Sequence, residues 1–230
     1  MSDNLPQHIA IIPDGTRRWA RKLGLPDIEG SRAGVETAHR TVVYLVNARL
    51  RYLTMWGFST DNWKRSEEQV DLLFEQAQTW IERDVAWLNR RGVRLRHIGS
   101  IDRLPSGLQQ AISYCLELTK NNTGMTLTVA LDYGGRAEII KAIRNMMNAA
   151  IPPHMVNDDL VSDYLYTDGM PDVDLVIRTG GELRLSNFMI WQAAYSEYYF
   201  TPILWPDFDK IELKKALKAY SQRHRRFGSE

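Results

Sequence analysis

Residues 8–20 read HIAIIPDGTRRWA, and the architecture follows from the way this stretch changes character. Its first six residues have the apolar pattern of a buried strand, and a helical pattern starts after the Asp-Gly pair. A helix that begins at Thr16 carries Arg17, Arg18 and two further basic residues in its first two turns. Cations are unfavourable there, because a helix N-terminus already carries about half a positive charge. The stretch therefore indicates a strand that ends at a bound anion.

The composition is that of an ordinary globular protein. The chain has 230 residues, of which 44% are hydrophobic and 25% charged, so it can bury a full core. A net charge of +1 gives no general argument for binding nucleic acid. The single cysteine, Cys115, excludes an internal disulfide. Without an apolar run of ~20 residues or the layout of a signal peptide, we expect a cytoplasmic location.

Short apolar runs alternate with longer helical patterns along the chain, without an internal repeat or a linker that would separate two domains. Six runs predict strands, over 8–13, 53–58, 93–99, 125–133, 173–178 and 197–201. Strands that alternate with helices indicate βαβ units and a mostly parallel sheet. We therefore predict one α/β domain over residues 1–230, with helices flanking the sheet.

Two helical patterns and one helix start are specific enough to name. Apolar residues recur at helical spacing over 136–150, at Ala137, Ile140, Ile143, Met147 and Ala150. A second stripe covers the helix predicted over 70–88: Val70, Leu73, Phe74, Ala77, Trp80, Ile81, Trp87 and Leu88. Ser66 and Gln69 have the spacing of a capping box at the start of that helix.

The loops that follow four of the predicted strands are polar and rich in glycine or arginine. They read DGTRRW, STDNWKR, DYGGR and RTGGELRLSN. Ligands of parallel sheets bind beyond the carboxyl ends of the strands. We therefore expect these four loops to converge on one binding site.

Two of these loops have the composition of anion sites. In the first, Gly15 allows an anion to approach the backbone, and Arg17 and Arg18 add charge-assisted donors. In the second, Arg178, Arg184 and Ser186 surround Gly180 and Gly181. The alternatives are a solvated basic helix face for the Arg-Arg pair and a surface salt bridge for Arg184.

Two anion sites with few acids suggest two phosphorylated substrates joined through a metal ion. Mg²⁺ typically takes one or two carboxylates together with phosphate oxygens. Asp14 is the first candidate ligand and Glu197 the second, although an edge carboxylate with ordinary partners is an equal alternative for Glu197. The sequence lacks the glycine-rich motifs of nucleoside triphosphatases and dinucleotide enzymes, zinc-ligand spacings and a nucleophile elbow. His97, within an alternating strand, is interpreted as structural.

These motifs together resemble the cis-prenyltransferases of the undecaprenyl diphosphate synthase family. The resemblance runs nearly end to end, through HIAIIPDGTRRWA, GFSTDNWKRSEEQV, TVALDYGGRAEI, the long segment DLVIRTGGELRLSNFMIWQAAYSEYYFTPILWPDF and the terminal RHRRFG. It implies an α/β fold around six parallel strands, with a substrate tunnel beside the sheet, and a homodimer. It also implies Mg²⁺-dependent addition of isopentenyl diphosphate to an allylic prenyl diphosphate, with a new Z double bond.

The resemblance also implies roles for individual residues. Asp14 would be the essential acid at the allylic diphosphate and its metal, and Glu197 the second metal-linked acid. Ser59 and Asn62 would act on the loop that closes over the substrates. The remaining substrate-binding positions would be Gly15, Thr16, Arg17, Arg18, Trp19, Ser31, Trp63, Arg65, Arg178, Arg184, Ser186, Arg226 and Gly228. Arg226 and Gly228 would reach across the dimer.

Departures from the family pattern lie on the allylic side. Thr16 and Arg17 stand where Asn-Gly is usual, Asp27 replaces an arginine and Ser31 a histidine. The PDGxRRW motif also resembles lavandulyl-type members, which couple two dimethylallyl units irregularly. Further alternatives are prenyl transfer to another acceptor and a non-catalytic partner subunit of the same fold. The presence of Asp14, the NWKR motif and Glu197 disfavours the non-catalytic subunit.

The predicted tunnel is lined by bulky residues. Met55 and Trp56 would form one wall, and Trp80 and Trp87 lie one heptad apart on the helical stripe. A tryptophan in a close-packed tunnel removes the space of roughly two isoprene units. We therefore predict short to medium Z-prenyl diphosphates, with peripheral membrane contact for product release.

Overall fold

The computed structural model describes residues 5–223. It contains six strands: β1 (His8–Ile12), β2 (Tyr52–Trp56), β3 (Arg94–Ile98), β4 (Thr126–Ala130), β5 (Leu175–Arg178) and β6 (Glu197–Phe200). Seven α-helices accompany them: α1 (Thr16–Lys22), α2 (Asp27–Asn47), α3 (Glu67–Arg90), α4 (Ser106–Thr119), α5 (Gly135–Asn148), α6 (Asp158–Tyr164) and α7 (Lys210–Ser221). Short 3₁₀ segments span Thr60–Lys64, Pro153–Met155 and Trp205–Asp207.

All six strands form one parallel sheet in the order β3-β4-β2-β1-β5-β6. The central strand, β1, is buried along its whole length, because helices cover both faces of a parallel sheet. Ile9 and Ile11 belong to the core under α2, α3, α4 and α7, whereas Ala10 and Ile12 belong to the core on the opposite face. The predicted α/β fold with six parallel strands is confirmed.

The predicted strands are all present, each shorter than predicted, but one local prediction needs correction. Ser66 is the N-cap of α3, yet its side chain makes no capping hydrogen bond. A capping box forms instead at Ser59 and Asn62. The helix predicted over 136–150 is present as α5, and its apolar stripe faces away from the core: Ile140, Ile143 and Met147 are 49%, 46% and 73% exposed. Glu138, Ala142 and Met146 face inward in their place.

Candidate active site

A cavity of about 780 Å³ opens at the carboxyl ends of the central strands. Residues from the loops after β1, β2 and β5 line it, together with side chains of α2 and α3. The predicted convergence is therefore confirmed for three of the four loops, whereas the loop after β4, DYGGR, does not line the cavity. One end of the cavity is polar and cationic, and the other is lined by apolar side chains.

Asp14 lies at the polar end and is fixed from several sides. Its carboxylate accepts from Nη2 of Arg178 at 2.9 Å and from Nη2 of Arg18 at 3.2 Å. Its backbone N–H donates to Oγ1 of Thr179, and that hydroxyl donates back to the carbonyl of Asp14. The acid is thus held rigidly, and its side chain is about one-third exposed to the cavity.

Arg178 connects the first loop with the last one. It is buried, and its Nη1 donates to the carbonyl of Arg184 at 2.5 Å and to Oγ of Ser186 at 2.8 Å. Its Nε has no hydrogen-bond partner among the described residues. A buried guanidinium with an unused donor is costly, so Arg178 carries a positive charge that its protein partners satisfy only in part.

Gly180 lets the backbone come close to Arg18. The carbonyl of Gly180 accepts from Nη1 of Arg18 at 2.7 Å, and the glycine has φ +84°. A Cβ at this position would lie 2.6 Å from Nη2 of the same arginine. Any larger residue would therefore displace Arg18 from the cavity.

The unusual Asp27 has a clear contact. Its carboxylate accepts from Nε of Arg17 at 2.9 Å and from Arg21 at 3.3 Å. Burial raises the pKa of Asp27, but the hydrogen bonds and charges of the two arginines outweigh this effect and leave the pKa below its usual range. As the first residue of α2, Asp27 is also favoured by the helix dipole. It therefore holds Arg17 and Arg21 beside the cavity.

The cavity carries an excess of positive charge. Five arginines line it, namely Arg17, Arg18, Arg21, Arg65 and Arg178, against two acids, Asp14 and Asp61. Burial lowers the pKa of Arg65, and the charge of Arg17 lowers it further, while Asp14 acts in the opposite direction. Arg17 and Arg65 therefore repel each other, and a multiply charged anion between them would relieve this repulsion.

The segment that follows β2 supplies four polar side chains to the cavity, those of Ser59, Asp61, Asn62 and Arg65. The hydroxyl of Ser59 accepts from the N–H of Asp61, and Oδ1 of Asn62 accepts from the N–H of Ser59. Since these bonds use one atom of each side chain, the amide NH₂ of Asn62 remains available to a ligand.

The apolar end of the cavity is formed by α3 and β2. Leu73, Phe74, Ala77, Trp80, Ile81, Met55 and Trp56 line it. Trp56 stacks on Phe188 with ring centroids 4.7 Å apart. Trp87 does not line the cavity, because it packs on His39 and Arg91 at the far end of α3. The prediction that Trp87 lines the tunnel is wrong.

Most of the predicted site residues lie together. Asp14, Gly15, Thr16, Arg17, Arg18, Ser31, Ser59, Asn62, Arg65, Arg178 and Ser186 all line the cavity. Four others do not: Trp19 donates to Asp207, Trp63 donates to Asp132, Arg184 pairs with Glu182, and Glu197 lies elsewhere. Arg226 and Gly228 lie outside the described residues.

Glu197 is not brought to Asp14. It is the first residue of β6 and lies in register with Leu175 and, through it, with Ile9. This places it at the amino end of the sheet, where it accepts from Nη1 of Arg223. Its assignment as a second metal ligand stays a prediction.

The residues at the polar end can hold a metal ion only together with a bound diphosphate, which would supply the remaining oxygen ligands. Within residues 5–223, no three His, Cys, Asp or Glu side chains cluster as a metal site. Mg²⁺ commonly needs only one or two carboxylates when phosphate oxygens complete its coordination. Asp14, in a ring of arginines, fits such a metal–diphosphate complex better than a bare ion.

Two contributors to the site, Arg21 and Thr179, are not among the predicted site residues. Arg21 lies four residues after Arg17 on the same helix face, so its spacing is a signal for the site. Thr179 clamps the backbone of Asp14, and Asp27, which the resemblance places on the allylic side, holds Arg17. Both contacts are between different elements, and no spacing signal reports them.

The fold and site define an enzyme of the prenyltransferase class, as comparison with known proteins shows. Residues 12–228 match the family described as "Putative undecaprenyl diphosphate synthase". An isoprenyl transferase of Clostridium perfringens is 46% identical over 99% of this chain and 92% of its own length. One of Clostridium tetani is 47% identical over 98% and 90%. The chain belongs to the undecaprenyl diphosphate synthase family.

Two solved structures extend this result. Lavandulyl diphosphate synthase from Lavandula x intermedia, in complex with dimethylallyl diphosphate, superposes with a TM-score of 0.95 at 36% identity, over 99% of this chain and 100% of the other. A probable undecaprenyl diphosphate synthase from Campylobacter jejuni has a TM-score of 0.82 at 30% identity, with both chains fully covered. The fold is thus shared by a lavandulyl diphosphate synthase and a probable undecaprenyl diphosphate synthase.

Proposed function

We propose that the protein condenses isopentenyl diphosphate with an allylic prenyl diphosphate to a Z-polyprenyl diphosphate of short to medium length, in the presence of Mg²⁺. One observation carries this proposal: a single cavity joins a cationic end around Asp14 to an apolar end beneath α3. A prenyl diphosphate has the same division, with a charged head and an apolar tail.

The cationic end suits the leaving diphosphate. Arg17 and Arg18 lie at the start of α1, and Arg178 lies opposite them on Asp14. Fixed guanidinium groups stabilise the negative charge that develops as the allylic C1–O bond breaks. Because the groups are already held by Asp27, Asp14 and Gly180, little reorganisation is needed during the reaction.

The same site would orient the second substrate. In the proposed step, C4 of isopentenyl diphosphate attacks C1 of the allylic substrate, diphosphate leaves, and a proton is lost from C2. Arg178 and Ser186 would hold the isopentenyl diphosphate, and the released diphosphate would accept the proton. Bound Mg²⁺ would supply further positive charge to the diphosphate through Asp14. Holding both reactants in attack geometry accounts for much of such a rate increase.

The apolar end would hold the growing chain away from water. The cavity of about 780 Å³ includes the cationic end, so only its apolar part is open to a prenyl chain. Bulky side chains, Met55, Trp56 and Trp80 among them, line that part and support a product of short to medium length. Trp80 is the proposed floor of the cavity.

We also propose that the protein is a homodimer, with α5 in the interface. Ile140, Ile143 and Met147 form an exposed apolar stripe on this helix. Such stripes on a surface helix commonly mark contacts with another chain. Light scattering of the protein and of an Ile143→Lys variant tests this proposal: the variant should shift to monomer.

For the location, we propose the cytoplasm, with peripheral membrane contact during product release and no nucleic-acid partner. In residues 5–223, no helix combines the length and apolar character needed to cross a bilayer. The product has an apolar tail, whose exposure to water is unfavourable, so we expect it to pass from the cavity to a membrane. Release into lipid vesicles, measured with labelled product, tests the membrane contact.

Irregular coupling is the second candidate. The TM-score of 0.95 with lavandulyl diphosphate synthase and the shared PDGxRRW motif favour it. In that case two dimethylallyl diphosphates would react, and isopentenyl diphosphate would not be consumed. Transfer to another phosphorylated acceptor would use the same arginines, whereas a non-catalytic subunit would not need the ordered Asp14.

The test is turnover by the purified chain. It is incubated with Mg²⁺ and each of dimethylallyl, geranyl and farnesyl diphosphate, with and without isopentenyl diphosphate, and the products are separated by mass spectrometry. Regular Z-prenyl products that require isopentenyl diphosphate support the proposal. Coupling of dimethylallyl diphosphate alone would replace it with the irregular reaction, and no turnover would favour the partner-subunit alternative.

A further inference from the structure

The segment Ser59–Arg65 carries four cavity side chains, but its main anchor lies outside the cavity. Trp63, in the middle of this segment, donates from Nε1 to Oδ1 of Asp132 at 2.7 Å. Asp132 follows β4 and has φ +50°, an uncommon conformation for a residue other than glycine. With this left-handed backbone, the carboxylate of Asp132 lies against the indole N–H of Trp63.

Asp132 is buried and depends on one cation. Its residue is 2% exposed, and Arg103 donates to both carboxylate oxygens, from Nε at 2.7 Å and from Nη2 at 2.5 Å. The guanidinium of Arg103 also lies 5.1 Å from the centroid of the Trp63 ring. Arg103 therefore holds the indole in two ways. It fixes the Asp132 carboxylate that accepts from the indole N–H, and its guanidinium lies over the face of the ring.

The other neighbours of Trp63 leave it room to move. Phe58 and Phe74 pack against the ring at 5.2 Å and 5.5 Å between centroids. A second cavity of about 400 Å³ lies on the outer side, and both Trp63 and Arg103 line it. Without Arg103, Trp63 would keep, besides these ring contacts, only its hydrogen bond to a buried carboxylate that has lost its cation, and the second cavity would give the indole space to turn.

Displacement of Trp63 would be transmitted directly to the cavity. Asn62 is its chain neighbour, and the N–H of Arg65 donates to the carbonyl of Asn62 at 3.0 Å. Gly134, two residues after Asp132, lies so close to the segment that a Cβ there would meet Oγ1 of Thr60 at 2.7 Å. The segment is therefore seated on the loop after β4.

We propose that Arg103 and Asp132 are positioning residues that hold Trp63 and thereby fix Asn62 and Arg65 at the cavity. Neither of the two lines the main cavity. The kinetic part of this proposal rests on the proposed function, whereas the structural part does not.

Arg83 and Asp84 offer a matched control. Arg83 donates to both oxygens of buried Asp84, at 3.0 Å and 3.1 Å, and Asp84 keeps a second partner in His39 at 2.8 Å. Neither Arg83 nor Asp84 lines the main cavity. Replacing either arginine by methionine thus leaves a buried carboxylate with one partner, Trp63 for Asp132 and His39 for Asp84. Only Arg103→Met also removes a guanidinium from the face of Trp63, so only this variant loosens the indole.

The experiment compares Arg103→Met, Arg103→Lys and Arg83→Met by hydrogen exchange and by steady-state kinetics. We expect amide exchange at Asn62 and Arg65 to become at least ~10-fold faster in Arg103→Met and to stay unchanged in Arg83→Met. We expect kcat/KM to fall by about 10- to 100-fold in Arg103→Met alone, since misplaced groups cost this much, with partial recovery in Arg103→Lys.

The outcomes separate the two proposals. Equal effects of Arg103→Met and Arg83→Met would overturn the positioning role and leave only a stability effect. Unchanged exchange at Asn62 and Arg65 would also overturn it. If Arg103→Met does not fold, Arg103→Lys and Asp132→Asn decide by the same readouts. If the unmodified protein lacks turnover, the proposed function fails, and the exchange data alone decide the positioning role.

Discussion

Replacing Trp80 by alanine should lengthen the product. Trp80 is buried, lines the apolar end of the cavity and has an indole N–H without a partner among the described residues. The substitution removes nine heavy atoms, and an isoprene unit has five carbons. In a close-packed wall the space therefore corresponds to roughly two further isoprene units.

The stability cost sets a limit on this experiment. Removing a buried tryptophan costs about 3–5 kcal/mol, because the neighbours collapse only partly into the space. For Trp80 we expect the low end, about 3 kcal/mol, since one side of the ring faces the cavity rather than packed atoms. The variant should thus stay folded at 25 °C, with a lower thermal midpoint.

Product analysis by mass spectrometry, with dimethylallyl and isopentenyl diphosphate as substrates, measures the effect. Trp87→Ala is the matched control, because it removes the same side chain from the same helix outside the cavity. It should reduce stability without changing product length. Unchanged products in Trp80→Ala, or equal lengthening in Trp87→Ala, would refute Trp80 as the floor of the cavity.

Three further predictions follow from named contacts. Asp14→Ala should reduce turnover at least ~10²-fold in a chain that still folds, because it removes a preorganised charge at the reacting group; near-normal turnover would contradict its role. Arg17→Gln should raise KM for the allylic substrate about 10-fold, whereas Arg32→Gln, in an exposed pair with Glu29, should not; equal KM values in both would remove Arg17 from the site. Burial lowers the pKa of His8 below 6.5, so its stabilising contribution is present above pH 6.5 and is lost as pH falls through the lowered pKa. His8→Gln should therefore flatten the loss of unfolding free energy between pH 7.5 and 5, measured by urea titration, and an unchanged slope would refute this.

The sequence predicted the sheet well, because a parallel strand that is covered on both faces must consist mostly of apolar residues. β1 must be buried on both faces, and its run of apolar residues reports this directly. The rule for carboxyl ends then predicted which loops meet, and Asp14 and Arg178 lie in contact although 164 residues separate them. These predictions needed only strand order and hydrophobic pattern.

Contacts between side chains of different elements could not be predicted. Trp63 and Asp132 are 69 residues apart, and their pairing depends on the left-handed backbone at Asp132. In α5, periodicity identified a stripe at Ile140 and Ile143 but not whether the core or another chain covers it. Glu197 is a different case, since its place at the start of a strand already indicated the amino end of the sheet, away from Asp14.

The most direct test of the central claim is the structure of the product formed from dimethylallyl and isopentenyl diphosphate with Mg²⁺. The proposed condensation, with the diphosphate at Asp14 and the chain toward Trp80, gives a linear product that forms only when isopentenyl diphosphate is present. Its new double bond should be Z, as the resemblance to the cis-prenyltransferases implies. Double-bond geometry is read by NMR after removal of the diphosphate. A branched product from dimethylallyl diphosphate alone, or a new bond of E geometry, would contradict the account.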